Sequence, residues 1–165
     1  MSTLLEKPIK VNRIVTTSIE HARAIEDPAR AKIIELLYNQ NLSADQICTS
    51  LKKAGFKKAL TTVRHHLEIL KESGLIEIVK IEESRGAITK FYSTSTKLLD
   101  FQTPDDFDSK YSKIIDSTSD KIEKILKGLT PKTKSKSKKS EGYNQYLVME
   151  IMNRAMTNVF ENGKK

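Results

Sequence analysis

The sequence predicts a mainly α-helical protein that carries one small β-hairpin. Apolar residues recur at the three- and four-residue spacing of helices along most of the 165 residues. Residues 75–81 and 88–95 instead have the character of strands, and a turn that contains Arg85 and Gly86 separates them. No apolar run reaches the roughly 18 residues that a membrane-spanning helix needs. Together these observations favour a folded domain that is not embedded in a membrane.

The chain is basic, and its positive charge is concentrated in two segments. It contains 29 Lys and Arg against 21 Asp and Glu, which gives a formal net charge of +8 and a pI near 9.5. Residues 51–64 hold five basic side chains and no acidic one, and residues 132–139 hold five lysines among Ser and Thr. Only the first segment lies within periodic, foldable sequence. It is therefore the better evidence for a polyanionic partner.

The cysteine content and the N-terminus indicate the compartment. A single cysteine, Cys48, excludes an internal disulfide and a cysteine-rich zinc site, and it fits a reducing environment. The N-terminus lacks the basic and then apolar segments of a signal peptide. We therefore expect a cytoplasmic protein that has no metal or other cofactor.

Two helices in series are predicted at the start of the domain. Asp27 and Pro28 are a typical N-cap and first helical residue, so one helix begins there and the preceding helix must end before the proline. The preceding helix spans residues 14–25 and would place Val15, Ile19 and Ala22 on its apolar side. The apolar stripe of the second helix consists of Ala29, Ile33, Leu36 and Leu37.

A third helix is predicted from a capping-box pattern, in which Ser43 and Gln46 each satisfy a free backbone N–H group of the first turn. Its apolar face consists of Ala44, Ile47, Cys48 and Leu51. The thiol of Cys48 therefore belongs to the core rather than to a reactive or metal-binding site.

A fourth helix is predicted over residues 58–73, ended by Gly74, and it is strongly amphipathic. Its opposite face is basic and hydroxylic in the first half, whereas Glu68 and Glu72 lie farther along. Such a distribution suits insertion of the N-terminal half of the helix toward phosphates and base edges. The apolar stripe consists of Leu60, Val63, Leu67 and Leu70.

Two blocks of this sequence resemble the ArsR-like winged helix-turn-helix regulators of bacterial and archaeal type. The first is DPARAKIIELL at residues 27–37, and the second, more specific one is TVRHHLEILKESGLI at residues 62–76. The segment LSADQI at residues 42–47 lies between them. The resemblance covers about residues 18–96 and implies a winged helix-turn-helix domain over residues 14–98, followed by C-terminal helices.

The resemblance also implies a transcriptional regulator that binds double-stranded DNA as a homodimer. The recognition helix, residues 58–73, would lie in the major groove, and the wing, residues 82–90, along the backbone. The predicted DNA-binding residues are Lys52, Lys53, Lys57, Lys58, Thr61, Thr62, Arg64, His65, Lys80, Arg85 and Lys90. For His65 a solvated position and a DNA contact remain equally open, whereas the resemblance gives His66 a packing role.

Metal sensing and catalysis are disfavoured. Metal-sensing members of the family use a Cys-x-Cys cluster or Asp/His pairs on the C-terminal helix, and this sequence has neither. A nucleophile, a base and an orienting group do not occur at motif spacing, so we expect no enzyme.

The C-terminal third is predicted to hold two more helices. Thr103 and Pro104 open the first, residues 103–129, whose apolar stripe is too long for a small domain to bury alone. The stripe consists of Phe107, Tyr111, Ile114, Thr118, Ile122, Ile125 and Leu129. We expect it to form the dimer interface, with packing against the same domain as the alternative. Residues 130–142 are expected to be a flexible basic linker, and residues 143–161 an apolar helix that contacts the dimer partner or another protein.

Two other functions fit the same pattern. A winged-helix fold can also serve as a protein-interaction scaffold within a larger complex. A regulator with an effector pocket near the C-terminal helices is the third reading, although no convergent set of polar residues supports it. The basic segment at residues 51–64 favours DNA binding over both.

Overall fold

The computed structural model describes residues 17–94, 96–129 and 138–162. These residues form two compact units, one of which spans Thr17–Phe101 while the other begins at Gln102. The first unit contains four helices and a small sheet, and the second contains two long helices.

Helices α1 (Ile19–Ile25) and α2 (Pro28–Leu37) meet at a tight, capped junction. The carboxylate of Asp27 accepts hydrogen bonds from the backbone N–H groups of Ala29 and Arg30, at 2.8 and 3.4 Å. This confirms the predicted N-cap and satisfies two of the free donors of the first turn.

Two parts of the prediction for α1 were wrong, namely the residue at which the helix begins and the side of the helix that is buried. The helix begins at Ile19 because the hydroxyl of Ser18 caps it by accepting from the N–H of His21, 3.0 Å away. Ile19 is 67% exposed, and Ala24 is the residue of α1 that enters the core. Residues 14–16, including Val15, lie outside the described residues.

Helices α3 (Ala44–Lys53) and α4 (Leu60–Glu72) are joined by a glycine-capped linker. The predicted capping box of α3 is confirmed, since Gln46 N–H donates to the Ser43 hydroxyl and Ser43 N–H donates to the Gln46 side chain. At the other end, Gly55 has a φ of 90° and Phe56 N–H donates to the Leu51 carbonyl at 2.8 Å, a Schellman arrangement.

Helix α4 begins two residues later than predicted, at Leu60, and ends at Glu72, one residue before the predicted end, with Gly74 closing it as expected. Gly74 has a φ of 76°, and Leu75 N–H donates to the Leu70 carbonyl at 3.0 Å, so the Schellman arrangement is repeated. Without a Cβ atom, glycine adopts this left-handed conformation with little strain. Leu75 is thereby turned into the core at the entrance to the sheet.

The sheet has three antiparallel strands in the order β1 (Leu42–Ser43), β3 (Ala87–Ser93) and β2 (Glu77–Ser84). The hairpin was predicted, but its strands continue closer to the turn than the predicted residues 75–81 and 88–95. Ser84 pairs with Ala87, which leaves Arg85 and Gly86 as the turn, both with positive φ. Two such residues form the type I′ turn that matches the twist of a hairpin.

Strand β1 was not predicted. Its two residues pair with Tyr92 and Phe91 of β3, and a strand so short shows no alternation in the sequence. The base of the hairpin is fixed further by the hydroxyls of Ser93 and Thr94, which donate to the carbonyls of Gln40 and Leu75 at 2.8 and 2.6 Å. The wing is therefore attached both to the end of α2 and to the exit of α4.

The core of the first unit lies where α2, α3 and α4 meet. The stripe predicted for α4 is buried except for Leu60, which is half-buried, and Cys48 is buried as expected. Ile34, which the α2 prediction left out, is also fully buried. The largest fully buried side chains are Ile33, Ile34, Leu37, Ile47, Leu51, Val63, Leu67 and Leu70.

The second unit contains α5 (Phe107–Leu129) and α6 (Lys138–Thr157), and a π-helical turn (Asn158–Asn162) extends α6. Helix α5 begins four residues after the predicted cap at Thr103, since its first backbone bonds run from Phe107 to Pro104 and from Lys110 to Asp106. Helix α6 begins at Lys138, so residues 138–142 are helical rather than part of a linker. The remainder of the predicted linker, residues 130–137, lies outside the described residues.

Neither helix of the second unit is well covered. No residue of α5 is buried. In α6, Val148 is buried, with 6% of its surface exposed. Ile114 of the α5 stripe is 63% exposed, and Phe107 is 37% exposed. Across the described residues, no helix combines the length and the apolar character needed to cross a membrane.

Replacing Ile34 with alanine is expected to destabilise the first unit. The side chain is fully buried in α2, so its loss leaves a cavity and should lower the free energy of unfolding by about 2–5 kcal/mol. Ile19→Ala is the matched control, and at an exposed position it should change that free energy by about 0.5 kcal/mol or less. Urea denaturation of both variants measures the difference, and equal effects would contradict the described core.

Candidate nucleic-acid interface

The exposed face of α4 presents polar side chains along its first half. Thr61, Arg64 and His65 are exposed, and Thr62 is half-buried. Their orientation follows from the opposite side of the helix, where Val63, Leu67 and Leu70 are held in the core and thereby fix the rotation of α4 about its axis. The side chains of Thr61 and His65 and the guanidinium of Arg64 therefore face solvent on one side of the domain.

The linker before α4 adds positive charge next to this face. Lys52 and Lys53 lie in the last turn of α3, where cations interact favourably with the C-terminal end of the helix dipole. Lys57 is exposed and Lys58 is half-buried. The Lys58 backbone carbonyl lies 3.5 Å from the Cys48 thiol, which ties the end of the linker to α3. Within the described part of the chain, none of these four lysines belongs to an ion pair.

The wing carries the remaining predicted cations, which differ in whether their side chains already have a partner. Arg85 is at the tip, in the two-residue turn, and is exposed. Lys80 is already engaged, because its ammonium group pairs with Glu82 and lies 5.1 Å from the centre of the Phe91 ring. Lys90 is exposed on β3.

A groove between α4 and β3 brings Arg64 and Lys90 to one place. The groove is lined by Ser43, Ala44, Asp45, Arg64, Leu67, Glu68, Lys71, Ile88, Thr89, Lys90 and Tyr92. Lys52, Lys53, Lys57, Lys58, Lys80 and Arg85 do not line it.

The sequence placed Glu68 on the outward face of α4 without assigning it to the DNA-binding residues, and it did not point to Lys71 or Tyr92 as residues of this surface. Lys71 follows Arg64 by seven residues, so helical spacing alone could have placed it on the same face. To place Tyr92 on this surface, one must know how β3 lies against α4, and the sequence does not show this. Burial is the main cause that raises the pKa of Tyr92, and the negative charge of Glu68 adds to the increase while Arg64 opposes it.

His66 is a packing residue, in agreement with the sequence analysis. It is 6% exposed on the inner side of α4, and neither ring nitrogen has a hydrogen-bond partner among the described residues. Burial is the main cause that lowers the pKa of His66 below its ordinary value of 6.5. The Asp27 carboxylate, whose Oδ2 is 4.0 Å from Nε2, opposes this decrease only in part.

Asp27 has a lowered pKa of its own. Burial acts to raise it, but the hydrogen bond from Ala29 N–H, the charge of His66 and the contacts with Arg30 outweigh burial and hold the pKa below 3.8. The carboxylate therefore stays ionised as the cap of α2 at neutral pH.

The side chains that bind metals in other proteins are dispersed here. Cys48 lies in the core beside the Lys58 carbonyl, and the Nε2 atom of His21 is 3.0 Å from the Ser73 carbonyl oxygen. The described ranges hold no group of three or more His, Cys, Asp or Glu side chains that could bind an ion.

These elements define the class of protein as a winged helix-turn-helix protein, in which α3 and α4 are the paired helices and β2–β3 is the wing. Residues 27–77 match the model of the family described as "Bacterial regulatory protein, arsR family". The match runs from the cap of α2 to the first residue of β2, and it confirms the resemblance to ArsR-like regulators for this segment. It supports a DNA-binding transcriptional regulator.

Three solved structures are similar to this chain at low identity. NolR from Sinorhizobium fredii is 16% identical, with a TM-score of 0.37, over 61% of this chain and 79% of its own. Rv0081 from M. tuberculosis is 15% identical, with a TM-score of 0.37, over 66% and 88%. The third is fragment 1–100 of Mb0332 from Mycobacterium bovis, described as a homodimeric winged helix-turn-helix DNA-binding domain; it is 18% identical, with a TM-score of 0.36, over 63% and 80%. No curated protein sequence matches the chain.

His66 is expected to make the stability of the domain depend on pH. Because folding lowers its pKa, the unfolded chain binds more protons once the pH falls below 6.5, and the free energy of unfolding then decreases. The contribution is fully present above pH 6.5 and is lost progressively as the pH falls toward the pKa of the folded state.

Urea denaturation at about pH 7.5 and about pH 5.5 measures this dependence. The variant His66→Leu should lose it in this window, whereas His65→Leu, a change at the neighbouring exposed histidine, should retain it. The same pH dependence in the wild type and in His66→Leu would show that His66 is not its source.

Proposed function

We propose that this protein is a sequence-specific regulator of transcription that inserts α4, N-terminal half first, into the major groove of double-stranded DNA and lays the wing along the backbone. The observation that carries the proposal is the exposed face of α4 with Thr61, Arg64 and His65, which follows in sequence the lysines at the end of α3 and in the α3–α4 linker, none of them in an ion pair with another described residue. Such a surface offers donors for base edges and, near them in sequence, cations for phosphates.

Each group has a distinct role in the proposed complex. The guanidinium of Arg64 supplies two parallel donors, which suit the O6 and N7 acceptors of guanine. Thr61, Thr62 and His65 provide shorter contacts to bases or to the nearest phosphates. The phosphate-binding set is Lys52, Lys53, Lys57, Lys58, Lys80, Arg85 and Lys90, among which Lys80 must first exchange its contact with Glu82.

The protein is further proposed to act as a homodimer through its C-terminal helices. Two packed helices cannot enclose a core by themselves, and α5 leaves an apolar groove open from Phe107 to Ile122. Phe107, Tyr111, Ile114 and Ile122 line that groove. A second copy of the same helix pair would cover it, and the resulting symmetry would place two α4 helices on one duplex.

The role requires no cofactor and no catalytic group. It also places the protein in the compartment that holds the DNA, which for a regulator of bacterial or archaeal type is the cytoplasm.

Reversing the charge of Lys57 and Lys58 together is expected to weaken binding to every duplex. Each lost phosphate contact should reduce the slope of log affinity against log salt by roughly 0.9, so the double variant should lose about 2 in slope. Fluorescence anisotropy across a salt series measures it. Lys113→Glu, an exposed position on the side of α5 opposite the apolar stripe, is the control and should leave the slope unchanged.

An unaltered slope in the double variant, or a wild-type protein that binds no duplex at low salt, would contradict DNA binding through this linker. Recovery of a stable protein complex without nucleic acid would instead favour the scaffold function.

Placing a charge on the α5 stripe is expected to dissociate the dimer. Ile114 is 63% exposed within its own chain, so Ile114→Glu should leave the fold of each chain intact while burying an unpaired carboxylate in the proposed interface. Sedimentation equilibrium should show a dimer for the wild type and for Lys113→Glu, and a monomer for Ile114→Glu. A dimer that survives Ile114→Glu would place the interface elsewhere.

A further inference from the structure

The groove between α4 and β3 contains a carboxylate that the proposed function does not use. Arg64, Glu68 and Lys71 follow one another at four and three residues along α4, so they lie on one face of the helix, and all three are exposed and line the groove. Lys90 faces them from β3. A negative group in the middle of three cations reduces the attraction of this surface for phosphate.

The second carboxylate of the groove, that of Asp45, has a structural explanation, and that of Glu68 does not. Asp45 lies in the first turn of α3, where an acidic side chain is stabilised by the helix dipole. Glu68 is in the interior of α4, and none of the ion pairs in the described ranges includes it. Arg64 and Lys71 are within helical reach of Glu68, yet neither pairs with it.

The Glu68 side chain is also directed into the groove rather than away from it. Its charge contributes to the raised pKa of Tyr92, which stands on the opposite wall. Glu72, one turn farther along, belongs instead to the groove between α4 and α1, with Glu20 and Arg23. The two glutamates of α4 therefore serve different surfaces.

A carboxylate in the major groove has a specific chemistry. It only accepts hydrogen bonds, and the cytosine edge offers the N4 amino group as a donor with no acceptor beside it. Adenine also offers an amino donor, N6, but the N7 acceptor beside it repels a carboxylate, whereas guanine offers two acceptors and thymine offers an acceptor and a methyl group. Glu68 is about 6 Å from Arg64 along the helix axis, because each residue rises about 1.5 Å. That distance corresponds to roughly two base-pair steps of about 3.4 Å.

We propose that Glu68 is a specificity-determining residue that accepts a hydrogen bond from the amino group of a cytosine, while Lys71 and Lys90 hold the phosphates of the strand that occupies the groove. The inference rests on the proposed function, since it requires α4 to be in the major groove. It adds Glu68 and Lys71 to the recognition surface. It also explains why an acid is placed where phosphate binding alone would exclude it.

The test begins with the duplex that the wild-type protein selects from a random pool. Affinities are then measured for that duplex and for all its single base-pair substitutions. At one position, within a few base pairs of the position read by Arg64, the wild type should prefer cytosine. Glu68→Gln should reduce that preference roughly five- to tenfold, the lower part of the range for a base contact, because the amide both donates and accepts. The affinity of Glu68→Gln for unrelated duplexes should increase, since a like charge near the phosphates is removed.

Two further variants separate this role from general electrostatics. Glu72→Gln removes the same charge from the same helix outside the groove and should keep every base preference of the wild type. Lys71→Gln should weaken binding to all duplexes alike and reduce the salt slope by about 1. Circular dichroism of each variant verifies the fold, which exposed substitutions should not disturb.

The outcomes separate the inference from the proposed function. If the wild type selects a sequence and Glu68→Gln retains all its base preferences, or loses affinity equally on every duplex, Glu68 does not read a base and the inference fails alone. If the wild type selects no sequence and binds no duplex, the proposed function fails with it.

Discussion

The burial of one stripe of α4 governs the geometry of the first unit. Val63, Leu67 and Leu70 are enclosed by α2 and α3, and each such side chain contributes on the order of 1.5–3 kcal/mol to stability when it is removed from water. Rotating α4 about its axis would expose these groups, so the rotation is fixed, and the opposite face with Arg64 and Glu68 is held toward solvent. The chemistry of the surface thus follows from an apolar constraint on its other side.

Much of the fold follows from local signals that the sequence shows directly. The caps at Asp27 and Ser43, and the glycines at 55 and 74, act within a few residues, and the apolar stripes of α2, α3 and α4 repeat at helical spacing. Features that depend on distant partners were missed. Strand β1 exists because it pairs with β3 about fifty residues away. The start of α1 is a different case, because the Ser18 cap that sets it is a local signal and the prediction followed the apolar spacing instead.

In the candidate site, too, some features follow from the local sequence and others depend on distant residues. Helical angles placed Thr61, Arg64 and His65 outward on α4, and the structure has them there. The groove needs the position of β3 against α4, which the pairing of the wing fixes and the helix pattern alone does not. For Lys80 the sequence predicted a cation available to DNA, whereas in the structure its ammonium group forms an ion pair with Glu82 on the same face of the hairpin.

Selection of bound duplexes from a random pool reports base readout by α4 and the symmetry of the bound protein in one experiment. A dimer that reads bases through α4 should enrich an inverted repeat whose half-sites are separated by about one helical turn, roughly 10 base pairs from centre to centre, or a multiple of it. A pool that remains random after repeated selection, although the protein is folded, would contradict sequence-specific recognition by α4.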